Sequence, residues 1–384
     1  MAKLGEVCTI ISGSTPKTSV TSYWDGNIKW ITPAELNEDT FYIMDSVRHI
    51  TEEGKEKTGL SYLPTGTVIL SSRAPIGKTA IAGCEMCCNQ GFKNLICSDA
   101  IYNEYLYFFL KSKTEYLNSL GRGATFKEIS KSIVENIEIP LPEVNQQKEI
   151  AEKFKKLEQL ISLRKQQLAK LDELVKARFV EMFGDCKTNP KNWKTKALEK
   201  IANVGSSKRV FVEELQDSGI PFYRGTEIGA LAEKKAVKPE LFITEEHYKQ
   251  LCETTGKPQK GDLLMPSICP DGRIWIVDTD EPFYFKDGRV LWVHLTSANY
   301  NSVFLLYTLK DRIMTDYASI ASGTTFAELK IFALKKCKVF DVPLELQNQF
   351  ATFVERVDQQ KQTVQQSLEK LELMKKALMQ EYFG

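Results

Sequence analysis

The sequence has little of what most catalytic and membrane proteins need. Only 3 histidines occur in 384 residues, and His49, His247 and His294 lie far apart in the chain. The longest apolar run, Tyr105–Leu110, is much shorter than the roughly 20 apolar residues that cross a bilayer. The opening MAKLGEVCTI lacks the long apolar stretch of a secretory signal. We therefore expect neither a membrane span nor a secretion signal.

A strong charge of one sign is also missing. The chain has 51 lysines and arginines against 50 aspartates and glutamates, a net charge of +1. Residues 1–145 have 14 basic and 17 acidic side chains (net −3), and residues 146–184 have 9 and 6 (net +3). Residues 185–346 have 23 and 22, and residues 347–384 have 5 and 5. If the chain binds nucleic acid, its positive surface must be local, or a partner must supply much of the phosphate contact.

The cysteines do not form a recognisable metal or disulfide pattern. Nine are irregularly placed, and without a secretion signal this favours reduced thiols and a cytoplasmic location. Cys84, Cys87 and Cys88 contain a C-x2-C spacing with Cys97 nearby, but a structural zinc site usually needs a second pair. The pattern therefore favours buried thiols, and we expect no metal site.

Nucleotide-binding and nucleophilic motifs are incomplete. RAPIGKT at 73–79 resembles the end of a phosphate-binding loop, but Ser72 stands where the motif needs glycine. Ser71 and Ser72 have no obvious histidine partner, and there is neither a Gly-rich dinucleotide loop nor an Asn-Pro-Pro-aromatic motif of amino-methyltransferases. We expect no catalytic residues in this chain. A stand-alone DNA-modifying enzyme remains an alternative, which cofactor binding by the isolated chain would reveal.

What the sequence does contain is an internal repeat. LAKLDELVKARFVEMFG, ending at Gly184, aligns without a gap with LEKLELMKKALMQEYFG, ending at Gly384, after a shift of 200 residues. Positions with a 4-3-4-3 spacing run from residue 150 to 182 and, 200 residues later, from 350 to 382. They form a mostly apolar seam, in which the charged exceptions are Arg164, Arg178, Lys361 and Lys375. Such a seam predicts two coiled-coil helices, each roughly 55–60 Å long. We expect them to pack on each other; an antiparallel pair would keep Arg164 and Arg178 away from Lys361 and Lys375, although the sequence does not determine the direction.

The repeat extends into the segments before each helix. IKWITPAEL at 28–36 corresponds to IPFYRGTEI at 220–228, and LPTGTVILSSRAPIGKTAIA at 63–82 corresponds to PQKGDLLMPSICPDGRIWIV at 258–277. GATFKEI at 123–129 corresponds to GTTFAEL at 323–329. β-Branched runs bracketed by glycine and proline indicate short strands, and an apolar helix follows in each copy. We predict an α+β fold of two similar α/β globules, residues 1–145 and 185–346, each followed by a long helix, residues 146–184 and 347–384.

Polar and planar side chains cluster in the predicted loops of both globules. Arginine and lysine suit guanine and phosphate, and asparagine and glutamine suit adenine. The candidate DNA-binding residues are Ser14, Thr15, Lys17, Tyr23, Trp24, Arg73, Lys78, Asn89, Gln90, Lys93, Arg122, Thr125, Lys127, Lys208, Arg209, Arg224, Arg273, Lys286, Arg289 and Thr325. Solvated loops also contain such residues without binding anything.

The order of these motifs resembles the specificity (S) subunit of type I restriction–modification systems. The resemblance rests on KLGEVCTIISGSTPKT, YWDGNIKWITPAEL, SSRAPIGKTAIAG, NQGFKNLI and IEIPLPEVNQQKEIAEKF, and more loosely on IPFYRGTEI, SGTTFAEL and VPLELQNQFATF. It covers essentially the whole chain. The second half lacks the Arg-Ala-Pro-Ile-Gly-Lys and Asn-Gln-Gly-Phe sets, which puts particular contacts in doubt.

The resemblance implies that each globule is a target recognition domain for one half of a split double-stranded DNA site. The helices would be spacers and would dock two methyltransferase (M) subunits, with Leu168, Leu171, Leu368 and Leu371 as candidate partner-binding residues. S-adenosylmethionine would be bound by the M subunits, and ATP and magnesium by a translocating nuclease (R) subunit, so we expect no cofactor in this chain. A coiled-coil scaffold without a nucleic-acid role is a second alternative, which a gel shift of the complex with M subunits would test.

Overall fold

The computed structural model describes residues 1–73, 75–122, 127–322 and 327–384. The chain divides into two compact units. Unit 1 comprises Met1–Gln166 and Gln365–Gly384, and unit 2 comprises Gln167–Val364. Each unit therefore contains one globule and segments of both long helices, rather than a globule with only the helix that follows it.

The first globule, residues 1–143, is built mainly from short strands. Its strands are β1 (Ala2–Lys3), β2 (Cys8–Ser12), β3 (Trp24–Ile31), β4 (Tyr42–Ile43), β5 (Arg48–Ile50), β6 (Val68–Ser71), β7 (Thr79–Ala82), β8 (Cys87–Cys88), β9 (Phe92–Cys97) and β10 (Glu138–Ile139). Its helices are α1 (Leu4–Val7), α2 (Glu52–Thr58), α3 (Asn103–Ser112), α4 (Thr114–Ser119) and α5 (Lys131–Glu135), with 3-10 turns at Thr21–Tyr23 and Pro33–Glu35.

Two sheets and the apolar helix α3 form the core of this globule. One sheet has the order β2-β9-β6-β7-β4, and the other has the order β5-β3-β8, in which β3 and β8 are parallel. All four residues of β6 and of β7 are buried, as a strand covered on both faces requires. Helix α3 buries every residue from Glu104 to Leu110.

The long helix α6 (Val144–Phe183) leads to the second globule, residues 184–343, and α11 (Leu344–Phe383) follows it. The strands are β11 (Thr195–Ala197), β12 (Ala202–Gly205), β13 (Ile220–Tyr223), β14 (Phe242–Ile243), β15 (Leu263–Pro266), β16 (Trp275–Ile276), β17 (Tyr284–Phe285), β18 (Val290–Leu295), β19 (Ala321–Ser322), β20 (Glu328–Leu329) and β21 (Lys338–Phe340). The helices are α7 (Gly225–Ala232), α8 (Glu245–Thr255), α9 (Ser302–Ile320) and α10 (Ile331–Lys335), with 3-10 turns at Leu198–Lys200 and Val212–Glu214.

The sheets of the second globule repeat those of the first. The order β12-β18-β15-β16 corresponds to β2-β9-β6-β7, and β14-β13-β17 corresponds to β5-β3-β8 with the same parallel pair. The first globule adds β4 at the edge of the larger sheet. The predicted fold class, two pseudo-repeated globules with two long helices, is confirmed.

Within each unit the two long-helix segments run antiparallel. In unit 1, Lys153 Nζ donates to Tyr382 Oη (3.1 Å), Lys375 pairs with Glu158 (2.7 Å) and Lys165 with Glu372 (3.7 Å). In unit 2, Lys361 Nζ lies 2.6 Å from Asp172 Oδ1. Cations at the seam thus meet carboxylates of the facing helix.

A phenylalanine at the end of each long helix completes the core of a globule. In unit 1, the Phe383 ring lies 5.2 Å from Tyr105 and 5.6 Å from Phe154, measured between ring centroids. In unit 2, Phe183 lies 4.8 Å from Phe304 and 5.6 Å from Phe350. The last turn of α11 is therefore part of the core of the first globule, although it is far away in sequence.

Candidate nucleic-acid interface

A corner of each globule brings together the ends of β6 and β8 in unit 1 and of β15 and β17 in unit 2. Ser72 N donates to Gly91 O (2.7 Å), and Ser72 O accepts from Ile129 N (2.9 Å). Ser267 repeats this arrangement: its N–H donates to Arg289 O (2.9 Å) and its carbonyl accepts from Leu329 N (2.7 Å). The two serines therefore mark corresponding positions, which agrees with the sequence alignment of residues 63–82 and 258–277.

A glutamate closes the same corner in both units. Glu35 Oε1 accepts from Thr32 N (2.7 Å), and Glu227 Oε2 accepts from Arg224 N (2.9 Å). Each bond begins a helical turn directly after β3 or β13. Burial on its own would raise the pKa of Glu227, but hydrogen bonds from Arg224, Thr226 and the backbone outweigh it and lower the pKa to about 2. The two glutamates hold the backbone in the same way at this corner. The neighbouring side chains can therefore differ between the globules while the backbone path stays the same.

The basic residues of the first corner are bound to their own globule. Lys78 Nζ donates to Leu36 O (2.6 Å) and Pro33 O (3.3 Å). Arg73 Nε donates to Glu128 Oε2 (2.9 Å), and Lys93 Nζ lies 3.3 Å from Glu128 Oε1. Burial of the Glu128 carboxyl would raise its pKa, but these two cations hold it below its usual range. Of the three cations, only Arg73 is largely exposed.

Neutral polar side chains form a second group at this corner. Thr15 Oγ1 accepts from Asn89 Nδ2 (3.1 Å) and donates to Gln90 Oε1. Asn89 Oδ1 also accepts from Gly91 N (2.6 Å), and Ser14 O accepts from Trp30 Nε1 (3.0 Å). Ser14, Thr15, Asn89 and Gln90 are thus brought together, all half-buried. Their amides are the side chains that suit an adenine edge.

The structure corrects the expectation that Trp24 and Lys93 stand on exposed loops. Trp24 is 8% exposed and packs edge-on against Trp30 (5.1 Å), with the Arg48 guanidinium 3.6 Å above its ring. Lys93 is 6% exposed, because it lies in a strand buried on both faces. Both are structural residues of the first globule. Tyr23 is half-buried, and Lys17, Arg122 and Lys127 are exposed.

The second corner forms a cationic cavity of about 400 Å³. Its basic residues are four of those predicted from the sequence: Arg224, Arg273, Lys286 and Arg289. Arg224 pairs with Glu227 and with Glu240 (2.7 Å to the latter), and Arg289 pairs with Glu328. Lys208 and Arg209 are exposed elsewhere in the globule and do not line it. Thr125 and Thr325 lie outside the described residues.

Residues that the sequence did not indicate are the carboxylates that hold these cations. Glu128 and Glu328 occupy equivalent positions after the GATF and GTTF motifs and bind cations in the same way. Ser267, only 2% exposed, and the helix start Gly225–Thr226 also line the cavity. The two copies of the internal repeat both contain this glutamate, Glu128 or Glu328. The arginines that it binds lie too far away in sequence for the repeat to reveal them.

The four leucines predicted to bind partners are buried to different degrees. Leu368 is 6% exposed, and Leu168, Leu171 and Leu371 are half-buried. Leucine occupies these positions because they lie in the apolar seam between the helices, and the same location buries the side chains. Exposed apolar side chains lie on other faces of the helices, at Leu160, Leu163, Leu174, Val180, Leu373 and Met374.

The cysteines and acidic residues show no sign of a metal centre in the described part of the chain. No group of three or more His, Cys, Asp or Glu there is placed to hold an ion. Burial raises the pKa of Cys87 to about 11 and of Cys88 to about 12, so both stay protonated thiols at neutral pH. Among the described helices, none is both long and apolar enough to cross a membrane.

Comparisons with known proteins agree with this architecture. The chain is 31% identical over 376 residues to the MjaIX type I restriction enzyme specificity subunit of Methanocaldococcus jannaschii, covering 92% of this chain and 85% of that protein. It is 25% identical over 310 residues to the MjaVIII specificity subunit of the same organism, covering 75% and 70%.

Solved structures share the fold at low identity. A structure of a type I restriction–modification system, described in terms of complex assembly and conformational transition, superposes with a TM-score of 0.64 at 18% identity, covering 100% of this chain and 96% of that one. The S subunit from M. genitalium superposes with a TM-score of 0.57 at 16% identity, covering 100% and 95%. The family model for the type I restriction modification DNA specificity domain matches twice, at residues 1–173 and 190–373. This chain therefore belongs to the type I restriction–modification DNA specificity family.

Proposed function

We propose that the two globules read two different parts of a bipartite, asymmetric DNA site. One observation carries this proposal: the two corners have the same backbone frame but different side chains at corresponding positions. Thr32, Lys78 and Asn89 of the first frame correspond to Arg224, Arg273 and Lys286 of the second. Two readers of unlike sequences need such a frame, because base contacts depend on the side chains that it presents.

As a member of a family of specificity subunits, the chain is non-catalytic and directs other subunits to DNA. We assign the chemistry to those partners: S-adenosylmethionine to two methyltransferase subunits, and ATP and magnesium to nuclease subunits where the system contains them. Because its target is chromosomal or invading DNA, we place the chain in the cytoplasm. The long helices would set the spacing between the half-sites.

Exposed apolar side chains on the long helices are the surface that we assign to the methyltransferase. In unit 1, Leu160 and Leu163 are 44% and 58% exposed on α6, and Leu373 and Met374 are 68% and 53% exposed on α11. They lie next to charged pairs such as Lys165–Glu372 rather than in the seam. A partner that covers them would bury apolar area worth roughly 25 cal/mol per Å². This set replaces the four seam leucines as our docking candidates.

The proposal is tested by exchanging one reader. The first globule, residues 1–143, is replaced by the equivalent region of a relative, the chain is co-expressed with its methyltransferase partner, and methylated genomic DNA is sequenced. We expect one half-site to change and the other to persist. The reciprocal exchange of residues 184–343 is the matched control. A change of both half-sites in either chimaera would contradict separate readers.

A further inference from the structure

The cavity in the second globule combines several features of an anion site. Arg224, Arg273, Lys286 and Arg289 line it, together with Gly225, Thr226, Pro266, Ser267 and Ile268. Helix α7 begins at Gly225, and Gly225 and Thr226 of its first turn line this wall. The first N–H groups of a helix have no acceptor within the helix, and its dipole favours negative charge there.

One further polar group of the cavity lacks a protein partner. Ser267 is 2% exposed, and its hydroxyl makes no hydrogen bond with any residue that the structure describes. Arg273 Nε, also buried, lies 2.8 Å from Asp271 Oδ2 as an ion pair without hydrogen-bond geometry. A buried donor without an acceptor is destabilising, and a bound anion would accept a hydrogen bond from the Ser267 hydroxyl.

Carboxylates reduce the positive charge of the site without removing it. Glu227, Glu240, Asp271 and Glu328 each pair with one of the arginines. A guanidinium has five N–H donors, so an arginine that binds one carboxylate still has donors for a second anion. Lys286 is exposed and forms no ion pair with the described residues. The donors therefore outnumber the acceptors around this cavity.

The corresponding corner of the first globule keeps the buried serine, as Ser72, but its hydroxyl accepts from Lys93 Nζ and the other features are absent. Pro33 replaces Gly225 and has no N–H, and Thr32 replaces Arg224. Lys78 replaces Arg273, but its ammonium is bound to the Pro33 and Leu36 carbonyls. By the register of β9 and β18, Gly91 stands where the second globule has Arg289. By the register of β8 and β17, Asn89 stands where it has Lys286. Packing does not force a cationic cavity on this frame, since the first globule folds without one.

We propose that this cavity binds one phosphate group of the DNA backbone, and that the second globule holds DNA by a phosphate contact that the first globule lacks at the same corner. The inference rests on the proposed function. A concave site receives a group that protrudes, and phosphates protrude from a duplex, whereas base edges lie inside the grooves and are read by side chains that extend from the protein. Phosphate contacts add affinity and orient the duplex without reading sequence.

The test is the salt dependence of DNA binding by the full-length chain. The variant Lys286→Asn with Arg289→Gly introduces the residues of the first globule. Its binding to a short duplex of arbitrary sequence is compared with the wild type across a sodium chloride series. We expect the slope of log K against log salt to become shallower by about 1, because one phosphate contact is lost. The control variant, Lys249→Asn with Lys260→Asn, removes two basic side chains of the same unit outside the cavity, and its slope should match the wild type.

Thermal unfolding of both variants checks that the fold is retained. An unchanged slope in the cavity variant would overturn the inference, as would a changed preference among DNA sequences with the slope unchanged, since that signifies a base contact. Titration with inorganic phosphate separates the two sources of phosphate. Saturable phosphate binding that is lost in the cavity variant, with an unchanged DNA slope, would assign the cavity to free phosphate and overturn the DNA contact. A wild-type chain that binds no duplex at low salt, either alone or with its methyltransferase partner, would instead overturn the proposed function.

Discussion

The two globules place positive charge differently within one frame. In the first, Lys93 is buried between Ser72 and Glu128, and the half-buried polar group at the corner includes the amides of Asn89 and Gln90. In the second, Leu291 occupies the position of Lys93, and the cations line an open cavity instead. The same sheet order supports both arrangements. The surface at this corner therefore varies independently of the core, which is what the proposed reading of two unlike DNA sequences needs.

What the globules share is the way in which each is fastened to a long helix. Gln147, fully buried, accepts from Tyr102 N (2.8 Å) and donates to Ala100 O (3.0 Å) and Pro142 O (2.8 Å). Gln347 is also fully buried and repeats all three bonds with Asn301 N, Asn299 O and Val342 O, at 2.9, 3.1 and 2.9 Å. The side chains at the corners differ between the globules, whereas the hydrogen bonds at the helix starts are the same. Each of these observations leads to a separate prediction.

The largest effect should follow from removing the terminal aromatic ring of either long helix. Phe383→Ala should destabilise unit 1, and Phe183→Ala should destabilise unit 2, each by about 3–5 kcal/mol, because both rings are almost fully buried. Hydrogen exchange read separately for the two units would measure this. Leu373→Ala, at a side chain 68% exposed, is the control and should change little. Equal loss of protection in both units for Phe383→Ala would contradict the assignment of this ring to one core.

A smaller but matched pair of effects is expected at the helix starts. Gln147→Leu and Gln347→Leu each leave two carbonyls and one N–H without partners, so each should cost about 2–4 kcal/mol. The similarity of the two values is the prediction, because the hydrogen-bond sets are the same. Gln146→Leu, at an exposed neighbour, is the control. Denaturant unfolding followed by exchange in each unit would measure the costs, and a large difference between them would mean that the fastening is not equivalent.

Loss of the carboxylate that binds the cations should cost more stability at the first corner than at the second. Glu128→Gln leaves the buried Lys93 ammonium without its carboxylate and should cost about 1–3 kcal/mol, less than a fully buried pair because Glu128 is 35% exposed. Glu328→Gln breaks a pair with the exposed Arg289 and should cost less than about 1 kcal/mol. Thermal unfolding of the two variants measures the difference. Equal costs would show that burial of Lys93 does not distinguish the first globule.

The sequence predicted the repeat, the long helices and the short strands because those features have local periods and turn residues. It did not predict the burial of Trp24, which packs against Arg48 of the neighbouring strand β5 and Trp30 of its own strand. It did not predict that Phe383 completes the first core, since no local pattern links the end of α11 to Tyr105. Candidate site residues were found by type, and four of them do meet in one cavity. Arg224 and Arg273 pair with carboxylates two or three residues away, whereas the pair of Arg289 with Glu328 depends on a contact distant in sequence.

The smallest effect tests how Arg273 is held in the second corner. A methyl group on Gly229 would lie 2.9 Å from Arg273 Nη1 and 3.7 Å from Pro266 Cγ, so Gly229→Ala should push away the flexible guanidinium while the backbone stays in place. DNA affinity should fall about two- to fivefold, or about 0.5–1 kcal/mol. Stability should stay the same or rise by up to about 1 kcal/mol, because alanine favours α7 more than glycine does. In an Arg273→Ala background the same substitution should leave DNA binding unchanged, as a double-mutant cycle requires if it acts through this side chain. A further loss of affinity in that background would mean that Gly229 matters for the shape of the cavity rather than for Arg273, and the second corner would then differ from the first in its backbone as well as in its charge.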